Sequence, residues 1–230
     1  GRYLSNMNDR ETIFTHLNVF EKFDPQLPEM YRDSQYVFLA NISPELQHSV
    51  ISQVRKPRFV AMDTMNFWIT GTPADLRKTL AAVDCLVIND SEVRLLSGAH
   101  NIFAGARVIQ EMGPKTLIIK KGEHGAILVH KGAYFACPAI PVENLFDPTV
   151  AGDTFAGGFM GYLAQTDEIN DMSLRRAMVM GTVMASFCVE SFSVDRLKTL
   201  TADEIKERAS RLLALIKVDA DDDWLNAEHS

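Results

Sequence analysis

From Tyr36 onward the chain alternates short, β-branched apolar runs with stretches whose apolar residues recur every three or four positions. The runs at residues 36–40, 58–62, 85–88 and 116–120 have the length and continuity of strands buried on both faces. Helical stretches lie between them, and each opens on a recognisable signal. Ser43-Pro44 and Thr72-Pro73 place a cap residue before a proline at the first helical position, and Asn101 caps a segment running to Met112. Gly98 and Gly113-Pro114 follow the ends of such stretches. The alternation predicts a mostly parallel sheet covered by helices on both faces.

After Lys120 the pattern changes. Residues 125–130 and 133–136 read as an antiparallel pair joined at Lys131-Gly132. A loop follows, and then helices only. Those at residues 153–164 and 174–189 are rich in Ala, Gly and Met and so are packed on most sides, whereas Ala202–Ile216 is amphipathic. Residues 11–17 resemble a strand with no helix after it, whose backbone groups need a partner upstream or on another subunit. The chain thus divides into a β segment at residues 1–23, an α/β domain at 24–218 and an acidic tail at 219–230.

With 230 residues, 47% of them hydrophobic, the chain can bury one substantial core. A net charge of −7 argues against a nucleic-acid partner, which needs a concentrated basic surface. It leaves room for a small anionic nucleotide held by local donors and a metal. The three cysteines are widely spaced, without a Cys-x-x-Cys, and read as buried reduced thiols. There is neither a long apolar span for a membrane nor a signal-peptide pattern at the start, and a cytoplasmic location fits. None of the six histidines forms a ligand pair at helical spacing, which argues against zinc.

The most informative stretch is Asp147-Pro148-Thr149-Val150-Ala151-Gly152-Asp153-Thr154-Phe155-Ala156-Gly157-Gly158-Phe159. Its small residues lead straight into a helix, where free N–H groups and the positive end of the helix dipole attract anions. Asp153 stands where an acid beside that anion would take a proton from an attacking hydroxyl. Taken alone, a Gly-Asp before a helix is more often an N-cap with packing glycines. Here the stretch resembles the second signature of the ribokinase-like (PfkB-type) kinases, whose core is Asp-x-x-Gly-Ala-Gly-Asp. Val150 stands in place of the first glycine, and a β-branched residue takes φ > 0 only at a cost.

Three further stretches follow the family's order and spacing. Asn89-Asp90-Ser91-Glu92 resembles its Asn-x-x-Glu motif, and by itself is also what an ordinary capped helix looks like. Lys120-Lys121-Gly122-Glu123-His124-Gly125 resembles its nucleotide-side turn, and by itself is a glycine turn with solvated lysines. Residues 185–193 lie where relatives line the adenine and ribose pocket, although their composition is that of a core helix end and we read them as packing. Asp63-Thr64-Met65-Asn66-Phe67-Trp68 leaves a strand end, where open α/β sheets place ligands. It resembles a sugar-kinase loop in which Asn66 contacts nucleotide or substrate; the aromatic pair otherwise covers the sheet edge.

The resemblance implies a three-layer α/β/α sandwich with a mostly parallel central sheet, carrying a remnant of a small β lid in residues 1–23. It implies γ-phosphoryl transfer from ATP to a sugar or nucleoside-type hydroxyl, with Asp153 as base and an anion hole at Val150, Ala151, Gly152 and Asp153. Lys120, Gly122, Gly125 and Asn66 would contact nucleotide, and Asn89 and Glu92 would hold Mg²⁺ through water. Asp147 and Thr149 would ligate a monovalent cation such as K⁺. The lid strands would form a homodimer contact. The family's upstream segment, with several central strands and most sugar-contacting side chains, has no match here. A non-catalytic protein of the same fold is the alternative that Val150 and the unmatched segment favour.

Overall fold

The structure is a computed structural model that describes residues 22–217, His16, Asn18 and the strand pair Arg2–Tyr3 and Arg10–Glu11. That pair, β1 (Arg2–Tyr3) and β2 (Arg10–Glu11), runs antiparallel with Arg2 opposite Glu11. The rest of the expected strand at 11–17 and the tail at 219–230 lie largely or wholly outside the described residues.

The main sheet has six strands in sequence order: β3 (Tyr36–Leu39), β4 (Phe59–Asp63), β5 (Cys85–Asn89), β6 (Thr116–Lys120), β7 (Ala126–His130) and β8 (Ala133–Cys137). The first four are mutually parallel and the last two antiparallel, so the sheet is mixed as the apolar runs predict. All five residues of β4 are buried, in keeping with a strand covered on both faces. Among the described residues β3 is an open edge, pairing only with β4.

Alternate strand residues separate two cores. Phe59, Ala61, Cys85, Val87, Ile118, Ala126 and Leu128 face α6 (Ala151–Thr166), α7 (Asp171–Cys188) and Leu212 of α8 (Ala202–Ile216). Val60, Met62, Leu86, Ile88, Leu117 and Ile119 face the other side. There they meet α1 (Pro44–Gln53), α2 (Asn66–Gly71), α3 (Pro73–Leu80), α4 (Asp90–Ser97) and α5 (Ile102–Gln110). The period of two in the strands thus produces the three layers. The helix starts hold at Pro44, Pro73 and Asn101, whose side chain accepts from the amides of Phe103 and Ala104, but Ser43 and Thr72 stand at the cap positions without a side-chain cap bond.

The layer carrying α6 is tightly built. A Cβ on Gly181 would stand 2.8 Å from the Phe155 carbonyl oxygen, so only glycine lets α7 come this close to α6. Arg208 of α8 lies with its guanidinium carbon 3.5 Å from the centre of the Phe187 ring and bonds Glu190 at 2.7 Å. At the sheet edge, Asp167 at the end of α6 accepts from the Tyr36 hydroxyl at 2.7 Å and pairs with Arg58. The three cysteines are buried and free. Among the described residues no helix is long and apolar enough to cross a membrane.

Candidate active site

The parallel strands bring their C-terminal ends to one rim, and register decides which side chains share a face there. Asp63 is opposite Val87, and Asn89 is opposite Lys120. Asp63, Asn89 and Lys120 have the parity of Ala61, Val87 and Ile118, so all three project on the side occupied by α6.

Helix α6 begins on that side. Its cap residue, Val150, has φ −104° and ψ 14°, a conformation open to a β-branched side chain, so replacement of the family's glycine introduces no left-handed strain. The Ala151 amide is taken by the Pro148 carbonyl at 3.2 Å, and the Thr154 amide by that of Val150 at 2.9 Å. Between them, the amides of Gly152 and Asp153 have no acceptor among the described residues. Of the four amides expected to form an anion hole, that of Ala151 is occupied, whereas those of Val150, Gly152 and Asp153 have no acceptor among the described residues. Asp153 is exposed, in the first turn of a helix of 16 residues.

Lys120 meets this helix start. A Cβ on Gly152 would lie 3.0 Å from Lys120 Nζ, so the glycine leaves room for the ammonium to reach the first turn. Beyond Lys120 the chain turns through Gly122 (φ 56°) and Gly125 (φ 87°), closed by a bond from the Lys121 amide to the Gly125 carbonyl at 2.8 Å. A Cβ at Gly125 would stand 2.1 Å from the Cys137 carbonyl oxygen, so both conformation and space demand glycine there.

Asn89 and Glu92 form a reciprocal capping box at the start of α4. The Asn89 side chain accepts from the Glu92 amide at 2.8 Å, and Glu92 Oε2 accepts from the Asn89 amide at 3.0 Å. Asn89 is the N-cap of this helix. Among the described residues no three His, Cys, Asp or Glu side chains gather closely enough to hold a metal directly. A donor set of one amide and separated carboxylates fits a hydrated Mg²⁺ that keeps its waters and shares its charge with phosphates.

Asp63 is the member of this rim that the motifs do not single out. Asp63 is 9% exposed and its Oδ1 is buried without a hydrogen-bond partner. Burial pushes its carboxyl up to about 7; Lys120 pulls it down, while Asp153 and Glu92 push it further up. Lys120, Asp153 and Glu92 thus all bear on Asp63 across the rim. The next residue, Thr64, is also buried with an unpartnered hydroxyl.

The other expected residues lie at the margins. Asn66 is exposed at the start of α2, with Oδ1 accepting from the Phe67 amide at 2.9 Å. Of the aromatic pair beside it, Trp68 is buried and donates Nε1 to Asn41 Oδ1 at 3.0 Å, binding α2 to the loop after β3. Asp147 accepts from the amides of Thr149 at 2.9 Å and Ser193 at 3.3 Å. Hydrogen bonds from Thr149, with a smaller one from Ser193, hold its carboxyl below the ordinary value. The Phe146 amide bonds the Val189 carbonyl at 2.8 Å, so the loop after α7 is stitched to the one preceding α6.

Residues 5–199 match the family described as pfkB family carbohydrate kinase. The cytidine kinase of Thermococcus kodakarensis is 32% identical over 142 residues, which cover 59% of this chain and 50% of that protein. The fructokinase of Klebsiella pneumoniae is 33% identical over 97 residues, 40% of this chain and 31% of that protein. The chain thus spans half or less of these relatives' lengths. Among solved structures, aminoimidazole riboside kinase from Salmonella enterica superposes with a TM-score of 0.66 at 20% identity, covering 77% of this chain and 63% of that one. The Methanocaldococcus jannaschii nucleoside kinase, described as an archaeal member of the ribokinase family, does so with 0.66 at 21%, covering 84% and 60%. At that identity the superpositions establish the fold, a ribokinase-like α/β/α sandwich, and the sequence match establishes the rest: the chain belongs to the pfkB family of carbohydrate kinases.

Proposed function

We propose that this chain carries the phosphoryl-transfer half of a small-molecule kinase, acting from ATP on a hydroxyl of a sugar or nucleoside. The observation that carries the reading is the start of α6. Three free amides, an exposed aspartate in the same turn and a lysine ammonium converge there on the rim of the sheet. Free amides at a helix start favour the charge that builds on a transferring phosphoryl group, and a loose transition state depends chiefly on such positioning. Asp153 takes the proton of the attacking hydroxyl, and Lys120 neutralises phosphate charge from the β6 side. Asn89 and Glu92 hold water around Mg²⁺, which when bound offsets the charge of the nucleotide phosphates.

The same reading gives the marginal residues their parts. Gly122 and Gly125 keep the turn after Lys120 low enough for a nucleotide to lie over it, and Asn66 faces nucleotide or substrate. Asp147 and Thr149 border a monovalent-cation site for K⁺. Residues 1–23 belong to a lid that closes over substrate and pairs two copies of the chain, residues 24–218 form the catalytic domain, and residues 219–230 form an acidic tail. We place the protein in the cytoplasm.

A screen of sugars and nucleosides for ADP release with Mg·ATP tests the proposal. Turnover with one acceptor class, lost by about 10²- to 10⁴-fold in Asp153→Asn, is the expected outcome. The second reading is a protein of this fold that binds nucleotide without transfer. It would be marked by ADP binding with no acceptor and no dependence on Asp153.

A further inference from the structure

We propose that Glu190 is a positioning residue for the start of α6: gripped by two arginines, it fixes the loop to which the approach to that helix is tied. The inference rests on the phosphotransferase reading above. It gives α8, which places no group on the rim, a part in the reaction.

The approach is the connection from the end of β8 at Cys137 to Ala151, where α6 begins. Among the described residues, its only main-chain hydrogen bonds to a distant segment run to one carbonyl. Val189 accepts there from the amides of Phe146 at 2.8 Å and Asp147 at 3.3 Å. The Asp147 carboxylate adds a second tie by accepting from the Ser193 amide, and its bond from the Thr149 amide carries that hold to the residue before the Val150 cap. Residues 189–193 are therefore the mooring of the α6 start.

Apolar packing does not explain how this loop keeps its place. Phe192 is 66% exposed, and Ser193 takes φ 54°, a left-handed conformation that persists where the surroundings hold it. Glu190 ties the loop to α8. Its Oε1 pairs with Arg208 at 2.7 Å and its Oε2 with Arg196 at 3.7 Å. The two guanidinium carbons lie over the buried Phe187 ring, 3.5 Å and 5.2 Å from its centre. Arg196 also pairs with Glu204 of α8. All three side chains of the grip are less than a third exposed, so loss of Glu190 would leave two confined like charges beside one ring. They would separate, and the mooring would loosen with them.

Amide hydrogen exchange on the full chain reads the mooring without nucleotide. The amides of Phe146 and Asp147 should exchange about tenfold faster in Glu190→Ala and Arg208→Ala, with Glu190→Gln, which keeps an acceptor, falling between. Ile109→Ala, a cavity in the core on the other face of the sheet, tests for lost stability alone and should leave these two local openings unchanged. Mg·ADP is then titrated at a temperature where melts show every variant folded. Affinity should fall by about fivefold in Glu190→Ala and in Arg208→Ala, no further in the double variant, and not at all in Ile109→Ala.

Unchanged exchange in Glu190→Ala, or a loss of affinity that Ile109→Ala matches, would overturn the proposal. Faster exchange with unaltered affinity would overturn the role towards the phosphates and leave only a structural tie. A wild-type chain that binds no Mg·ADP, while its exchange responds as expected, would overturn the kinase reading and that role together.

Discussion

Lys120 Nζ lies 3.0 Å from the point where a Cβ on Gly152 would stand, which makes this glycine a gap kept open for a lysine rather than a backbone requirement. Gly152→Ala should therefore cost little stability, because the crowded atom is the end of a flexible side chain; we expect a change below about 1 kcal/mol. Displacing the ammonium from the helix start should nevertheless weaken binding of nucleotide phosphates by roughly tenfold. Thermal melts and ADP titration on the same sample check the two halves.

Gly125→Ala should behave in the opposite way. Its φ is 87°, and a Cβ would meet the Cys137 carbonyl oxygen at 2.1 Å and the Ala139 amide nitrogen at 2.6 Å, neither of which can swing aside. Left-handed strain and a backbone clash together should destabilise by about 3 kcal/mol or more. Urea denaturation measures it, and a midpoint equal to wild type would contradict the geometry of the turn.

Asp63 makes stability depend on pH in a definite direction. Its carboxyl, ordinarily at 3.8, is raised to about 7 in the fold. The folded state therefore holds the proton more tightly than the unfolded chain, and stability falls as pH rises between those values. About three units at roughly 1.4 kcal/mol each sets an upper limit near 4 kcal/mol. Wild type should lose stability relative to Asp63→Asn from pH 4 to pH 8, with no further divergence above it. Denaturant melts at a series of pH values check this, and parallel curves would contradict it.

Much of the architecture was legible because it depends on local pattern. The buried runs marked the four parallel strands and the Lys131-Gly132 turn the antiparallel pair, each to within one or two residues, and the prolines at 44 and 73 with Asn101 marked three helix starts. Helix α2 was not legible: Asn66–Gly71 is anchored by burial of Trp68 and Ile69 and by the bond from Trp68 to Asn41, a contact between distant segments. Within the site, the Asp153 loop and the capping box at Asn89 and Glu92 could be read as motifs. The shared face of Asp63, Asn89 and Lys120 could not, since parity becomes position only when the register between strands is known. Val150 in place of a glycine raised the cost of a positive φ there, but its φ of −104° shows that the turn does not ask for a glycine.

The most direct test of the central claim, that the start of α6 and its rim form a nucleotide-phosphate site, is calorimetric titration with Mg·ADP. Wild type, Asp153→Asn and Glu92→Ala are compared. The account expects saturable binding that Asp153→Asn keeps or strengthens, since it removes a negative charge beside the phosphates, and that Glu92→Ala weakens by about tenfold. Absence of binding in a folded wild-type chain, or equal affinity in all three, would contradict it.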